Sequence, residues 1–160
     1  MRRVCESLSS LDKKPGGMMS TEIREGGVRV GFMIEDIITH ASGVLAHVRQ
    51  NEGPQVGKYR VNLTDIQRIG AAAIRRAISE AKVIIVDEIG PMELNSMPFI
   101  LAVEMALASP KHFLGTVHKR ASHYLVEAIK SNPNYEFLEV TQVNREQIPN
   151  KILERLGAQE

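Results

Sequence analysis

The run Val83-Ile84-Ile85-Val86, closed by Asp87 and Glu88, constrains the fold more than any other feature of the chain. Four consecutive β-branched apolar residues are too few for a helix and leave no polar face. They read as a strand buried on both sides, the habit of parallel sheets covered by helices above and below. The surrounding segments agree. Thr64 is a candidate cap for a helix whose apolar positions, Ile66, Ile69, Gly70, Ala73, Ile74, Ala77, Ile78 and Ala81, recur in steps of three and four. A second helix is predicted from near Ser96, carrying Phe99, Ile100, Val103, Met105, Ala106 and Leu107. Phe113 to Val117 is the next buried strand. A third helix holds Tyr124, Leu125, Ala128 and Ile129 and stops at Asn132-Pro133. A further strand is predicted over Tyr135 to Val140. A last helix, with Ile148, Ile152, Leu153 and Leu156, closes on Gly157. Alternating strands and helices make an α/β fold with a mostly parallel sheet.

The front of the chain follows another rule. From about residue 16 to 48 the apolar runs are short and broken by glycine, and Gly26-Gly27 between two β-like runs supplies the positive φ of a hairpin turn. This is a β-hairpin insertion ahead of the helix–strand core at 64–157. Arg2 to Leu11 reads as an amphipathic helix with Val4, Leu8 and Leu11 on one side, with no cap and no strand before it. An α/β chain that opens in mid-helix is expected to lack its first strand. The 160 residues fit one domain, here 1–160. With 43% hydrophobic and 24% charged residues the chain is too apolar for disorder. Lys+Arg at 20 against Asp+Glu at 19 leaves no basic excess for nucleic acid. No apolar run nears the roughly 20 residues of a membrane span, and no secretory signal opens the chain. Cys5, the single cysteine, excludes an internal disulfide. The expectation is a cytoplasmic protein, with a monomer favoured.

In open parallel sheets, ligands bind beyond the carboxyl ends of the strands. Asp87 and Glu88 stand at that rim. Two acids there match a Walker B element, in which the first holds Mg²⁺, often through water, and the second orients or deprotonates the attacking water. The bland alternative, two solvated acids capping a loop, is about equally supported by the residues alone. The expected partner motif, G-x-x-x-x-G-K-[ST], is missing from the 160 residues. Gly53-Pro54-Gln55-Val56-Gly57-Lys58-Tyr59 is one residue short between its glycines, has Tyr59 in the hydroxyl position, and loses an N–H donor at Pro54. We reject it as a phosphate loop and read Lys58 as a solvated loop lysine. Thr116 and His118, at the end of the neighbouring strand, are candidates to sense a γ-phosphate. Arg24 and Arg120 are candidates to stabilise transition-state charge. Asn144 and Arg145 follow the last strand, with Asn144 read as a helix cap. His40, His47, His112, His118 and His123 show no metal-ligand spacing, and Cys5 reads as a structural thiol.

Taken together, these residues resemble the small P-loop nucleoside-triphosphatase family of thermophilic archaea and bacteria, whose animal relatives are known as cancer-related nucleoside-triphosphatases. The stretches that carry the resemblance are GGMMSTEIREGGVRVGF (Gly16 to Phe32), VGKYRVNL (Val56 to Leu63), VIIVDEIGPMELNS (Val83 to Ser96), GTVHKR (Gly115 to Arg120) and EVTQVNREQIP (Glu139 to Pro149). The resemblance implies a RecA-like, three-layer P-loop fold and Mg²⁺-dependent hydrolysis of ATP, GTP and other nucleoside triphosphates. It also implies a nucleotide-binding segment at Ile84, Ile85, Val86, Asp87, Glu88, Ile89, Gly90 and Pro91. Many relatives carry a basic residue where this chain has Pro91. Relatives open with a strand and a phosphate loop, whereas here Met1 to Cys5 falls inside the helix that follows them. Two accounts stand: a start assigned at an internal methionine, which the intact remaining motifs favour, or a shortened product. The leading expectation is a phosphohydrolase with Glu88 as general base and Asp87 as metal holder. The alternative is a nucleotide- or partner-binding remnant impaired in catalysis. A nucleotide kinase or an RNA-directed ATPase is a weaker third.

Overall fold

The computed structural model describes residues 1–157. Helix α1 (Arg2–Ser10) leads into a hairpin of β1 (Pro15–Glu25) and β2 (Val28–Asp36), followed by β3 (Ser42–His47) and the short pair β4 (Gln55–Val56) and β5 (Tyr59–Val61). Gly26 and Gly27 turn the first hairpin at φ 55° and 81°. Both angles lie where only glycine is at ease, as a two-residue primed turn demands. A helical stretch then runs through α2 (Leu63–Asp65), a π-helical segment (Ile66–Ala71) and α3 (Ala72–Glu80). β6 (Val83–Ile89), a 3₁₀ turn (Glu93–Asn95), α4 (Met97–Ala108), β7 (His112–Val117), α5 (Tyr124–Ser131) and α6 (Ile148–Arg155) complete the order. No described helix is long and apolar enough to cross a membrane.

All seven strands form one mixed sheet, in the order β4-β5-β3-β2-β1-β6-β7. The α/β class stands, but the expectation of a mostly parallel sheet holds only at one end. β6 runs parallel to β1 and to β7, while the other four pairings are antiparallel. The reason is that the hairpin is no insertion. Its first strand offers its free edge to β6, with Gly16 opposite Ile84 and Met18 opposite Val86. Gly17 permits the approach: at φ 114°, a Cβ there would collide with the Ile85 carbonyl oxygen.

Side chains alternate along β6 and reach two separate cores. Ile84 and Val86 pack with Met18, Ile74, Ala77, Phe99 and Val103 under α3 and α4. Val83 and Ile85 pack with Met19, Val4, Leu8 and Leu153 under α1 and α6. The uninterrupted apolar run is thereby explained, and the layers number three. Two local expectations change. Asn62, not Thr64, caps the helical stretch, its side chain accepting from the Asp65 N–H, because the first turn begins two residues earlier than a Thr64 cap implies, at Leu63. Tyr135 to Val140 is not a strand. β7 is the edge of the sheet, and the segment is held instead by its ends. Tyr135 donates its hydroxyl to the Leu107 carbonyl at 3.4 Å, and Asn144 Nδ2 donates to the Glu139 carbonyl at 2.8 Å. Strand propensity without a partner strand forms no ladder.

Candidate active site

β6 delivers Asp87 and Glu88, both half-buried, to the carboxyl end of the parallel part of the sheet; the peptide between them is cis. The parallel register sets Gly115 of β7 opposite Val86, so the next residue, Thr116, comes alongside Asp87. Its hydroxyl donates to Asp87 Oδ1 at 2.9 Å. Glu88 occupies different surroundings. Burial pushes its carboxyl above the usual range; His118 nearby offsets part of this, and Asp87 adds to it. The Glu88 side chain lies over Gly90, where a Cβ would stand 2.8 Å from Glu88 Oε1. His118 is exposed, and its Nδ1 accepts from the Arg120 N–H at 3.3 Å.

Asp87, Glu88, Thr116 and His118 are thus brought together. Other candidates are not. Ile84, Ile85, Val86 and Ile89 are fully buried and fill the cores, so within the expected nucleotide segment only the side chains of Asp87, Glu88 and the exposed Pro91 reach the surface. Arg24 stands six residues beyond Met18, the partner of Val86, or about 20 Å along β1. It bonds there to Glu22 and to the Gly27 carbonyl, and not to the acids. Arg120 is exposed on the loop after β7. Asn144 ties the loop before α6, accepting from the Thr141 N–H at 2.7 Å. Arg145 pairs with Glu146. Gly57 and Lys58 turn the β4–β5 hairpin at the opposite end of the sheet, which accords with rejecting that loop. Cys5 is buried among α1 contacts, its thiol pushed up by desolvation.

Sequence reasoning missed one residue. Glu93, in the 3₁₀ turn after β6, is only 3% exposed. Burial first, and Glu88 and Asp87 after it, push its carboxyl up to about 8 against the backbone N–H groups that favour its charge. The available signal was an acid set between Met92 and Leu94, apolar neighbours that turn inward.

A family model described as NTPase matches residues 1–153. The chain belongs to this family. Among NTPase relatives, the nucleoside-triphosphatase THEP1 of Thermofilum pendens is 41% identical over 157 residues, 98% of this chain and 86% of its own length. That of Methanosarcina acetivorans is 42% identical over 156 residues, 95% and 87% of the two chains. The crystal structure of THEP1 from the hyperthermophile Aquifex aeolicus superposes with a TM-score of 0.84 at 30% identity, covering 97% of this chain and 91% of that one. The solution structure of a human cancer-related nucleoside triphosphatase gives 0.82 at 30% identity, with 99% and 90% covered. The resemblance drawn from the motifs is borne out, and with it the P-loop NTPase-like α/β fold.

Proposed function

We propose that this NTPase-family chain hydrolyses nucleoside triphosphates with Mg²⁺ at the β6 rim, Glu88 acting as general base and Asp87 as the carboxylate that holds the ion. The observation that carries the reading is the contrast between two adjacent acids. Asp87 is fixed by the Thr116 hydroxyl. Glu88 is partly desolvated, and its raised proton affinity suits a base working near neutral pH. The relatives named nucleoside-triphosphatase THEP1 support the same chemistry.

The donors fit Mg²⁺. They are the hard carboxylate oxygens of Asp87 and Glu88 at the end of β6. That suits an ion which takes one or two carboxylates and fills its shell with water and phosphate oxygens. When bound, it would neutralise charge on those oxygens. Glu88 would take a proton from water as the water oxygen bonds to the terminal phosphorus. The bond from that phosphorus to the bridging oxygen breaks, releasing nucleoside diphosphate and phosphate. His118, whose charge acts on Glu88, would hold a phosphate oxygen.

A second reading, nucleotide or partner binding with little turnover, is favoured by one observation. Gly53 to Tyr59, the nearest approach to a glycine–lysine phosphate loop in the sequence, lies at the far end of the sheet from Asp87. Phosphate release from ATP and GTP, measured beside the binding of a fluorescent nucleotide analogue, separates the two. We expect Mg²⁺-dependent release by the chain, and binding without release by Glu88→Gln. Release by Glu88→Gln at the parent rate refutes the base assignment. Binding by the parent chain with no release establishes the second reading.

A further inference from the structure

The outer half of the β1–β2 hairpin carries a cluster that the rim site does not use. Glu22 of β1 lies opposite Phe32 of β2, about 13 Å along β1 beyond Met18, the partner of Val86. One carboxylate there gathers two arginines: Arg29 Nη1 donates to Glu22 Oε1 at 2.8 Å, and Arg24 Nε to Oε2 at 2.7 Å. Arg24 is engaged further by the turn, donating to the Gly27 carbonyl at 2.8 Å. Arg29 is held at a second point, its Nε donating to the Tyr59 hydroxyl at 3.0 Å. Its guanidinium covers the Phe32 ring, 5.1 Å from the centroid. Phe32 and Tyr59 meet edge to face at 5.2 Å, with the small Ala46 opposite Phe32 on β3, the next strand. Lys58 adds a cation 5.4 Å from the centre of the Tyr59 ring.

Holding the hairpin together does not call for this arrangement. Three cations face one carboxylate, and the arginines already occupy both of its oxygens. Among the described residues Arg29 Nη2 has no acceptor and Lys58 no carboxylate partner, and 44% of the Arg29 side chain is open to solvent. A guanidinium fixed on an aromatic ring is a platform for another flat ring, and receiving one costs it little further ordering. The unused N–H groups and the Lys58 ammonium favour an anion beside that ring. We propose that Arg29, Phe32 and Lys58 form a binding site for a mononucleotide, its base stacked on the Arg29 guanidinium and its phosphate taken by Lys58 and Arg29 Nη2. Among the described residues cations cover aromatic rings only in this cluster, and a formal net charge of +1 supplies no basic track. That suits one base and one phosphate, not a strand of nucleic acid. The site is separate from Asp87 and Glu88 and stands whether or not the rim hydrolyses triphosphates.

The test follows the Arg29 Nε signal and the Gly27 and Gly57 amide signals of the isotope-labelled chain by NMR, in EDTA. AMP, adenosine, inorganic phosphate and a single-stranded oligoadenylate are added in turn. We expect AMP to shift all three signals with a Kd below about 1 mM. Adenosine and phosphate, each keeping only part of the contacts, should bind about tenfold more weakly or worse. Arg29→Lys keeps the charge but loses the plane, and should weaken AMP about tenfold. Lys58→Ala should weaken AMP about threefold or more while leaving adenosine within about twofold, a split that a merely structural lysine would not produce. Where Arg29→Lys disturbs the hairpin before any ligand is added, Lys58→Ala, whose side chain is exposed, decides the matter. Unmoved signals at about 5 mM AMP overturn the proposal. So do shifts confined to residues 86–90, which put the nucleotide at the rim, and so does a well-folded Arg29→Lys chain that binds AMP like the parent. Phosphate binding as tightly as AMP overturns the stacked base. Oligoadenylate binding more than about tenfold tighter than AMP overturns the mononucleotide in favour of a nucleic-acid interface.

Discussion

Replacing Glu93 by glutamine should change how the stability of this chain depends on pH. Unfolded, the carboxyl titrates near its ordinary value of 4.5; folded, burial raises it to about 8. Between those values the native state keeps a proton that the unfolded chain has released. The stability this proton contributes is complete below pH 4.5, declines as pH rises, and is lost once pH passes about 8. At about 1.4 kcal/mol per pH unit, the loss amounts to about 3 kcal/mol at pH 7 and about 5 kcal/mol on the plateau above pH 8. Glutamine cannot ionise and has nearly the same shape. The assay is urea unfolding of both proteins at pH 5, 6, 7, 8 and 9 in EDTA, read as the difference between them so that titrating groups away from Glu93 cancel and only Asp87 and Glu88, which act on it, remain coupled to the change. The glutamine variant should gain on the parent by about 1.4 kcal/mol per pH unit from 5 to 8, and then level off. A difference that stays constant across this range would refute the burial argument. So would a parent that gains on the variant with rising pH, since that is the signature of a carboxylate stabilised by its surroundings.

Three further outcomes are expected. Gly90→Ala places a Cβ 2.8 Å from Glu88 Oε1, the movable end of a flexible side chain; the melting temperature should shift by no more than a few degrees while kcat falls about 100-fold, measured by phosphate release. Thr116→Val removes the 2.9 Å hydrogen bond to Asp87, and Mg²⁺ affinity, followed by calorimetry with a bound nucleotide analogue, should weaken about tenfold, as outer-shell partners of metal ligands commonly do. Phe99 is fully buried between α4 and the sheet, so Phe99→Ala should cost about 3–5 kcal/mol in urea unfolding. A cost below about 1 kcal/mol would show that the site collapses around the missing ring.

Much of the fold could be read without coordinates, because it is encoded locally. The run from Val83 to Val86 required burial on both faces, and β6 sends alternate residues into two cores. The spacing of three and four placed helices over α3, α4 and α5, and Gly26-Gly27 placed a turn. The same run also announced that Asp87 and Glu88 would emerge at the rim. Pairing was a different matter. Nothing near Pro15 or Gly17 says that the hairpin joins β6, because the partner lies far along the chain and is chosen by backbone hydrogen bonds common to every sequence. Tyr135 to Val140 has the residues of a strand and still forms none, since β7 ends the sheet. Likewise the environments of Glu88 and Glu93 depend on which distant atoms exclude water from them. Residue order along the chain fixed which segments turn, coil or extend and where acids follow an apolar run; close approach of remote segments decided which acid is fixed by Thr116, which is desolvated, and which is sealed inside, because desolvation and hydrogen bonding act through space.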